Sequence, residues 1–215
     1  QKGFTLVEIA IVLVIVGLLI GGVLKGQEMI TNAKLKRVES DNAGIAAAMF
    51  SYQDRYLQLP GDDSEADTRF NVYSAATPIN INGNGDGLIG GAWDANNLAD
   101  INVAGSLESD TFFGHLRAAG LITGDGLDGT KPSNAYGGQI GIQDGSINIA
   151  GHVTIFGEIE GPIARIVEAR LDDGDADSGR VQANIAGGAN GMGPGATSDG
   201  ATYDDTQRYD IAFRL

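Results

Sequence analysis

From Phe4 to Leu24 the chain runs for 21 residues with one charge, Glu8. A stretch of about 20 apolar residues has the length of a membrane-spanning helix. It is also apolar on every side, so it cannot be the half-buried helix of a small globular domain. A segment of this length and composition is expected to span a bilayer. Glu8 adds a constraint. A carboxylate at mid-bilayer costs about 2.5–3.5 kcal/mol on insertion scales, so Glu8 either sits near the interface or meets a positive partner. The residues after the run, "KGQEMITNAKLKRVESDNAG", read as more helix and not as a peptidase site with a mature start. The segment is therefore expected to be retained and not removed as a secretory signal peptide.

The helical pattern continues past the apolar run. Leu35, Val38, Asn42, Ile45, Met49, Tyr52 and Tyr56 are spaced alternately by three and four. That is one face of an amphipathic helix, broken by a single polar residue at Asn42. Lys34, Lys36, Arg37, Glu39, Asp41 and Asp54 occupy the other faces. One helix is predicted from about Phe4 to Tyr56, roughly 80 Å long at ~1.5 Å per residue. Pro60 and Gly61 in "LPGDD" predict its end, because a proline disfavours helix at the residue before it. Gly17, Gly21, Gly22 and Gly26 interrupt the apolar half. Each weakens a helix by ~1 kcal/mol relative to alanine. They suit either close packing of helices or a segment able to unwind, and the residues leave both open.

Charge divides the chain at the same place. The 215 residues carry a formal −14, of which residues 57–215 hold −15 and residues 1–56 hold +1. The acidic part also contains 27 of the 33 glycines, which means many turns and little long helix. Such a surface repels nucleic acid, so no nucleic-acid partner is predicted. There is no cysteine, which excludes disulfides and thiolate metal sites. "SDTFFGHLRAAGLITGDG" predicts a helix with Ser109 as N-cap. Alternation at Ile140/Ile142, Ile147/Ile149 and Val153/Ile155 predicts strands, with Asp144–Gly145 as the hairpin turn between the first two. "GPIARIVEARLDDG" predicts a helix with Pro162 in its first turn and Gly174 beyond its end. "RVQANIA" and "RYDIAFRL" predict late strands. The fold class is α+β: a long N-terminal helix packed on an antiparallel β-sheet domain with long loops.

"KGFTLVEIAIVLVIVGLL" resembles the N-terminal signature of type IV pilins and type II secretion pseudopilins. The match covers about 25 residues and is highly specific: a basic residue, Gly, Phe, Thr, Leu, any residue and Glu, then a long uncharged run. In that family a dedicated prepilin peptidase cuts after the glycine and methylates the new N-terminus. The resemblance places this processing at Gly3 and Phe4, and gives Glu8 the role of the assembly glutamate, answering the Phe4 amine. It implies a leader remnant at 1–3, an N-terminal helix at 4–56 and an acidic head domain at 57–215. Within the helix, residues 4–24 would serve as transmembrane and filament-core segment and 25–56 as the amphipathic part. It also implies a homo-oligomeric helical filament, inner-membrane residence before assembly, and an extracellular fimbrium or pilus afterwards. "YLQLPGD", "HLRAAGLI" and "DDGDADSG" are similar to a broader group of pilin-like proteins. The chain departs from many pilins in having Lys25 where a helix proline is common, and in lacking a C-terminal disulfide.

Two acidic loops are candidate calcium sites. In "NGNGDGLIGGAWD", Asn82, Asn84 and Asp86 alternate, Leu88 offers a carbonyl, and Asp94 lies one residue beyond the closing acid of an EF-hand-like loop. In "DDGDADSG", Asp173, Asp175 and Asp177 alternate, an oxygen set suited to a hard cation. The alternatives are a Gly/Asn-rich turn and a solvated acidic loop. No nucleophile-elbow, P-loop or HExxH motif occurs, and His115 and His152 are the only histidines, so no enzyme is expected. Three functions remain: a filament-forming pilin subunit, a minor pilin or secretion pseudopilin, and a membrane-anchored exported binding domain.

Overall fold

Thr5 caps a helix that then runs unbroken for 51 residues, α1 (Leu6–Tyr56). The computed structural model describes residues 5–74, 81–95, 101, 107–189, 191–200 and 202–215. The four glycines of the apolar half lie within regular helix, and a Cβ added at any of them would meet nothing within 4 Å. The helix ends four residues before the proline expected to stop it. Leu57 adopts a left-handed backbone, φ 59°, and its N–H returns to the Gln53 carbonyl. A side chain in that conformation is strained by roughly 1–2 kcal/mol, which marks the end as imposed by the downstream chain.

Two short helices come next, α2 (Ala66–Arg69) and α3 (Asn71–Ser74), then α4 (Glu108–Ala118). A four-stranded antiparallel sheet completes the head: β1 (Ile140–Ser146), β2 (Ile149–Glu160), β3 (Val181–Ile185) and β4 (Arg208–Arg214), in the order β1-β2-β4-β3. Helix α5 (Gly161–Leu171) links β2 to β3, with Pro162 in its first turn as expected. Ser109 does not cap α4. The helix begins at Glu108, two residues earlier than a Ser109 cap would place it, with Leu107 in the cap position and the Asp110 carboxylate accepting the Leu107 N–H. An aspartate three residues into the helix can satisfy the cap backbone as well as a serine before it.

The hairpin also differs from expectation. Gly145 sits at φ 72° in a bulge inside β1, and the chain reverses at Ile147–Asn148. Two expected strands are therefore one long strand, β2. The bulge is held from outside, because Ile147 bridges to Pro194 and exchanges backbone hydrogen bonds with Gly193 and Gly195. Such a distant segment overrides a local Asp-Gly turn signal.

Period-two alternation gives the sheet two faces. Ile140, Ile142, Phe156, Ile211, Phe213, Val181 and Ala183 join one core with Leu35, Val38, Ile45, Met49 and Tyr52 of α1, Phe112, Phe113 and Leu116 of α4, and Ile163 and Val167 of α5. Val153, Ile155 and Ala212 face the other way, into a smaller cluster with Trp93, Ile147, Ile149 and Met192. The polar break in the α1 stripe is explained here. Thr154, on the α1 face of β2, donates its hydroxyl to the Asn42 Oδ1, so the two polar groups satisfy each other within the interface.

His115 of α4 is fully buried near the rings of Tyr52 and Tyr73, 6.3 and 5.9 Å between centroids. Its Nδ1 accepts the Gly61 N–H at 2.9 Å, and its Nε2 lies 2.9 Å from the Ile81 carbonyl. That assigns a neutral ring with its proton on Nε2. Burial pushes its pKa down to about 4. A histidine so lowered takes up its proton more readily in the unfolded chain. Its contribution is complete above about 6.5 and is lost as pH falls from there toward 4. In denaturant titrations of the protein in detergent, the wild type is expected to lose up to ~1.4 kcal/mol per pH unit across this window through His115. His115→Asn, which keeps an acceptor for Gly61, is expected to lack that slope. Parallel pH profiles for the two proteins would contradict the assignment.

Candidate assembly helix and acidic loops

The first turn of α1 closes on itself through Glu8. Its Oε2 accepts the Thr5 backbone N–H and the Thr5 hydroxyl, both at 2.8 Å, while the Glu8 N–H donates to the Thr5 Oγ1 at 3.3 Å. This reciprocal capping box satisfies donors that a helix start leaves open. It also turns the carboxylate back toward the N-terminal end of the chain. Gly3 and Phe4 lie outside the described residues. Beyond Glu8 the side chains are uncovered on all sides. From Leu6 to Leu24, 14 large aliphatic residues are exposed, from 43% at Val16 to 90% at Leu6. The most apolar 18-residue window of α1 has a mean hydropathy of 2.8 and no buried residue.

Below this segment the helix is fixed to the head. The Tyr52 hydroxyl donates to Asp63 Oδ2 at 2.6 Å, and Arg69 binds both Asp63 oxygens, at 2.9 and 3.2 Å. Asp63 is fully buried. Burial alone would raise its carboxyl, but hydrogen bonds from Tyr52, the Glu65 N–H and Arg69, with the Arg69 charge, hold it below the ordinary range. Arg170 of α5 reaches Glu39 of α1 at 3.2 Å. Elsewhere in the head, Lys131 and Asp110 form a fully buried ion pair at 3.0 Å.

The first acidic loop is organised by acids outside it. Buried Asp62 accepts the N–H groups of Gly85 and Gly87 at 2.6 and 2.7 Å. Glu108 accepts those of Asn84 and Gly90 at 3.0 and 2.6 Å. Asp86 accepts the Leu88 N–H and the Asn84 amide. Oxygens of Asp62, Asp86 and Glu108 lie within 4.8 Å of one another. Of the residues singled out by spacing, Asp86 joins this group and Asn84 flanks it. Asn82 instead pairs with Asp67, accepting its N–H and donating to its carboxylate, each at 2.9 Å. Leu88 is exposed, and Asp94 sits apart beside Trp93, on the rim of a cavity of about 560 Å³ shared with Asp210. Burial, helped by the charges of Glu158 and Asp94, pushes the Asp210 carboxyl up to about 6.

The second acidic loop follows α5. Asp173 accepts the Asp175 N–H at 3.0 Å and the Ser178 hydroxyl at 2.7 Å. A hydrogen bond to Asp175 raises the Asp177 carboxyl. The oxygens that converge belong to Glu168, Asp172 and Asp173, within 4.8 Å of one another. Spacing within the loop found Asp173 and missed the other two. Their signal was present, since Glu168 precedes Asp172 by four residues and the two face the same side at the helix end. Asp62 and Glu108 carried no such local signal, being 46 positions apart in the chain.

Residues 1–24 match the family model of the prokaryotic N-terminal methylation motif, the signature of type IV pilins and pseudopilins. That motif, on a long apolar helix joined to an α+β head, supports a type IV pilin-like or pseudopilin subunit. It implies processing by a prepilin peptidase and handling by an assembly machinery. No curated protein matches the chain.

The Asp62 contacts make a test of the head. Asp62→Ala leaves two glycine N–H groups without their acceptor, and is expected to lower stability by roughly 2–4 kcal/mol. Chemical denaturation read through the single Trp93 would show this as a lower midpoint. An unchanged midpoint would mean that the loop finds equivalent partners without Asp62.

Proposed function

We propose that the chain is the structural subunit of an extracellular type IV pilus-like filament, polymerising through the apolar half of α1. In this reading residues 1–3 are a leader remnant, 4–24 the filament core, 25–56 the part of the helix that docks on the head, and 57–215 the displayed domain. The observation that carries it is the contrast along α1. Its second half is covered by the sheet, α4 and α5, while 14 large aliphatic side chains of its first half are exposed. Covering those side chains is worth roughly 20–40 kcal/mol at ~1.5–3 kcal/mol each, more than the whole net stability of a typical domain. A lipid bilayer covers them before assembly, in the inner membrane. The same segments of neighbouring subunits cover them afterwards, at the cell surface.

Glu8 supplies register. Cleavage after Gly3 frees the Phe4 amine, one residue from the Thr5 N–H that Glu8 already binds. In a helical bundle that ammonium meets the Glu8 carboxylate of its own chain or of a neighbour. A buried pair of this kind adds little net stability, but an uncompensated charge is strongly unfavourable, so it selects one axial offset between helices. A minor pilin or secretion pseudopilin would use the same contacts in a shorter assembly. A membrane-anchored binding domain would need neither the cleavage motif nor Glu8.

The test separates insertion from assembly. Glu8→Gln is expected to reach the membrane at wild-type levels and to cut the yield of sheared filaments by about tenfold or more, a penalty of ~1.4 kcal/mol or more per contact. Intact mass of the filament subunit is expected to show loss of residues 1–3 and gain of one methyl group at Phe4. Filaments at normal yield from Glu8→Gln would overturn the pairing.

A further inference from the structure

The two acidic groups of the head differ in one physical respect. Every carboxylate oxygen of Asp62, Asp86 and Glu108 accepts an N–H from the surrounding loop. Those acids have their partners. Glu168 does not. It is fully buried at the last turn of α5, and its Oε2 accepts the Tyr203 hydroxyl at 3.1 Å. Its Oε1 is buried with no hydrogen-bond partner among the described residues. Asp175 Oδ1 is buried and unpartnered in the same way. Neither Glu168 nor Asp172, Asp173, Asp175 or Asp177 makes an ion pair with any described residue.

We infer that Glu168, Asp172 and Asp173, with Asp175 beside them, form a binding site for a divalent cation of the calcium class. The oxygens of the first three already lie within 4.8 Å of one another, a separation that one cation can bridge at the 2.3–2.6 Å of calcium–oxygen bonds. Asp172 is held in place from behind, its Oδ2 accepting the N–H groups of Arg180 and Val181. The close turn depends on Gly179, at φ 78°, where a Cβ would fall 2.0 Å from Asp172 Oδ2. Asp173 is held by Ser178 and the Asp175 N–H. The set is all oxygen and irregular, which suits calcium better than the strict octahedron of magnesium. The inference concerns the head alone and stands or falls separately from filament assembly.

The cation also accounts for the burial of Glu168. Desolvation, with Asp172, Asp173 and Asp175 nearby, pushes its carboxyl up to about 8. A bound cation would supply the opposite charge that offsets the cost of burying this carboxyl among three other acids.

The experiment uses the full chain in detergent micelles, stripped with chelator and titrated calorimetrically with calcium chloride at pH 7. One calcium per chain is expected to bind, and the melting temperature is expected to rise with calcium and to return on adding chelator. Asp173→Asn, at an exposed position that leaves the core intact, is expected to weaken binding about tenfold or more. Glu168→Gln, which removes the charge of the buried ligand, is also expected to weaken binding about tenfold or more. Absence of both heat and melting shift at millimolar calcium would overturn the site. So would binding that is unchanged in both variants, because the calcium would then lie elsewhere, the Asp62–Asp86–Glu108 group included.

Discussion

The docking of the second half of α1 on the sheet sets the terms for everything else. Leu35, Val38, Ile45, Met49 and Tyr52 bury one stripe of the helix in the main core. The Tyr52–Asp63–Arg69 network then fixes the point where the helix gives way to the head. A helix of 51 residues is about 76 Å long at 1.5 Å per residue, much longer than this head can cover. Holding it firmly at one end leaves the other end projecting, and the projecting end is the apolar one. The fold thus delivers an uncovered aliphatic rod on a rigid base, with a single carboxylate near its tip.

That arrangement makes the partner of the rod a matter of environment. In a bilayer the exposed Leu, Ile and Val side chains meet acyl chains. In a bundle of copies they would meet one another. The Thr5–Glu8 capping box belongs to both settings, because it satisfies the helix start without a second chain. The head needs no such change of surroundings. Its core is closed by the sheet, α4 and α5, and three of its buried charges, Asp63, Asp110 and Lys131, are paired internally.

Much of this was legible in the sequence, for physical reasons. Length and uniform hydrophobicity are properties of one segment, so the apolar half and the stripe from Leu35 to Tyr56 could be read directly. The assignment of α5 rested on Pro162 and Gly174, and β3 and β4 on the short runs "RVQANIA" and "RYDIAFRL", all local signals. The failures were tertiary. Asp144–Gly145 looked like a hairpin turn, but Ile147 pairs with the Gly193–Gly195 segment and moves the reversal. Ser109 looked like a cap, but Asp110 does the work from inside the helix. The acidic loops showed the same limit. Asp86 and Asp173 were found by spacing, and Glu168 lay four residues before Asp172, whereas Asp62 and Glu108 reach their group only through folding, and Asn82 is drawn away by Asp67.

The central claim is that the uncovered half of α1 forms the core of a polymer of this chain. Electron cryo-microscopy of filaments sheared from expressing cells tests it most directly. The account predicts a helical bundle of Leu6–Leu24 segments at the filament axis, acidic heads outward, and a positive charge in contact with each Glu8. Filaments whose axis is built from head domains, or a chain found only as single membrane-bound subunits, would contradict it.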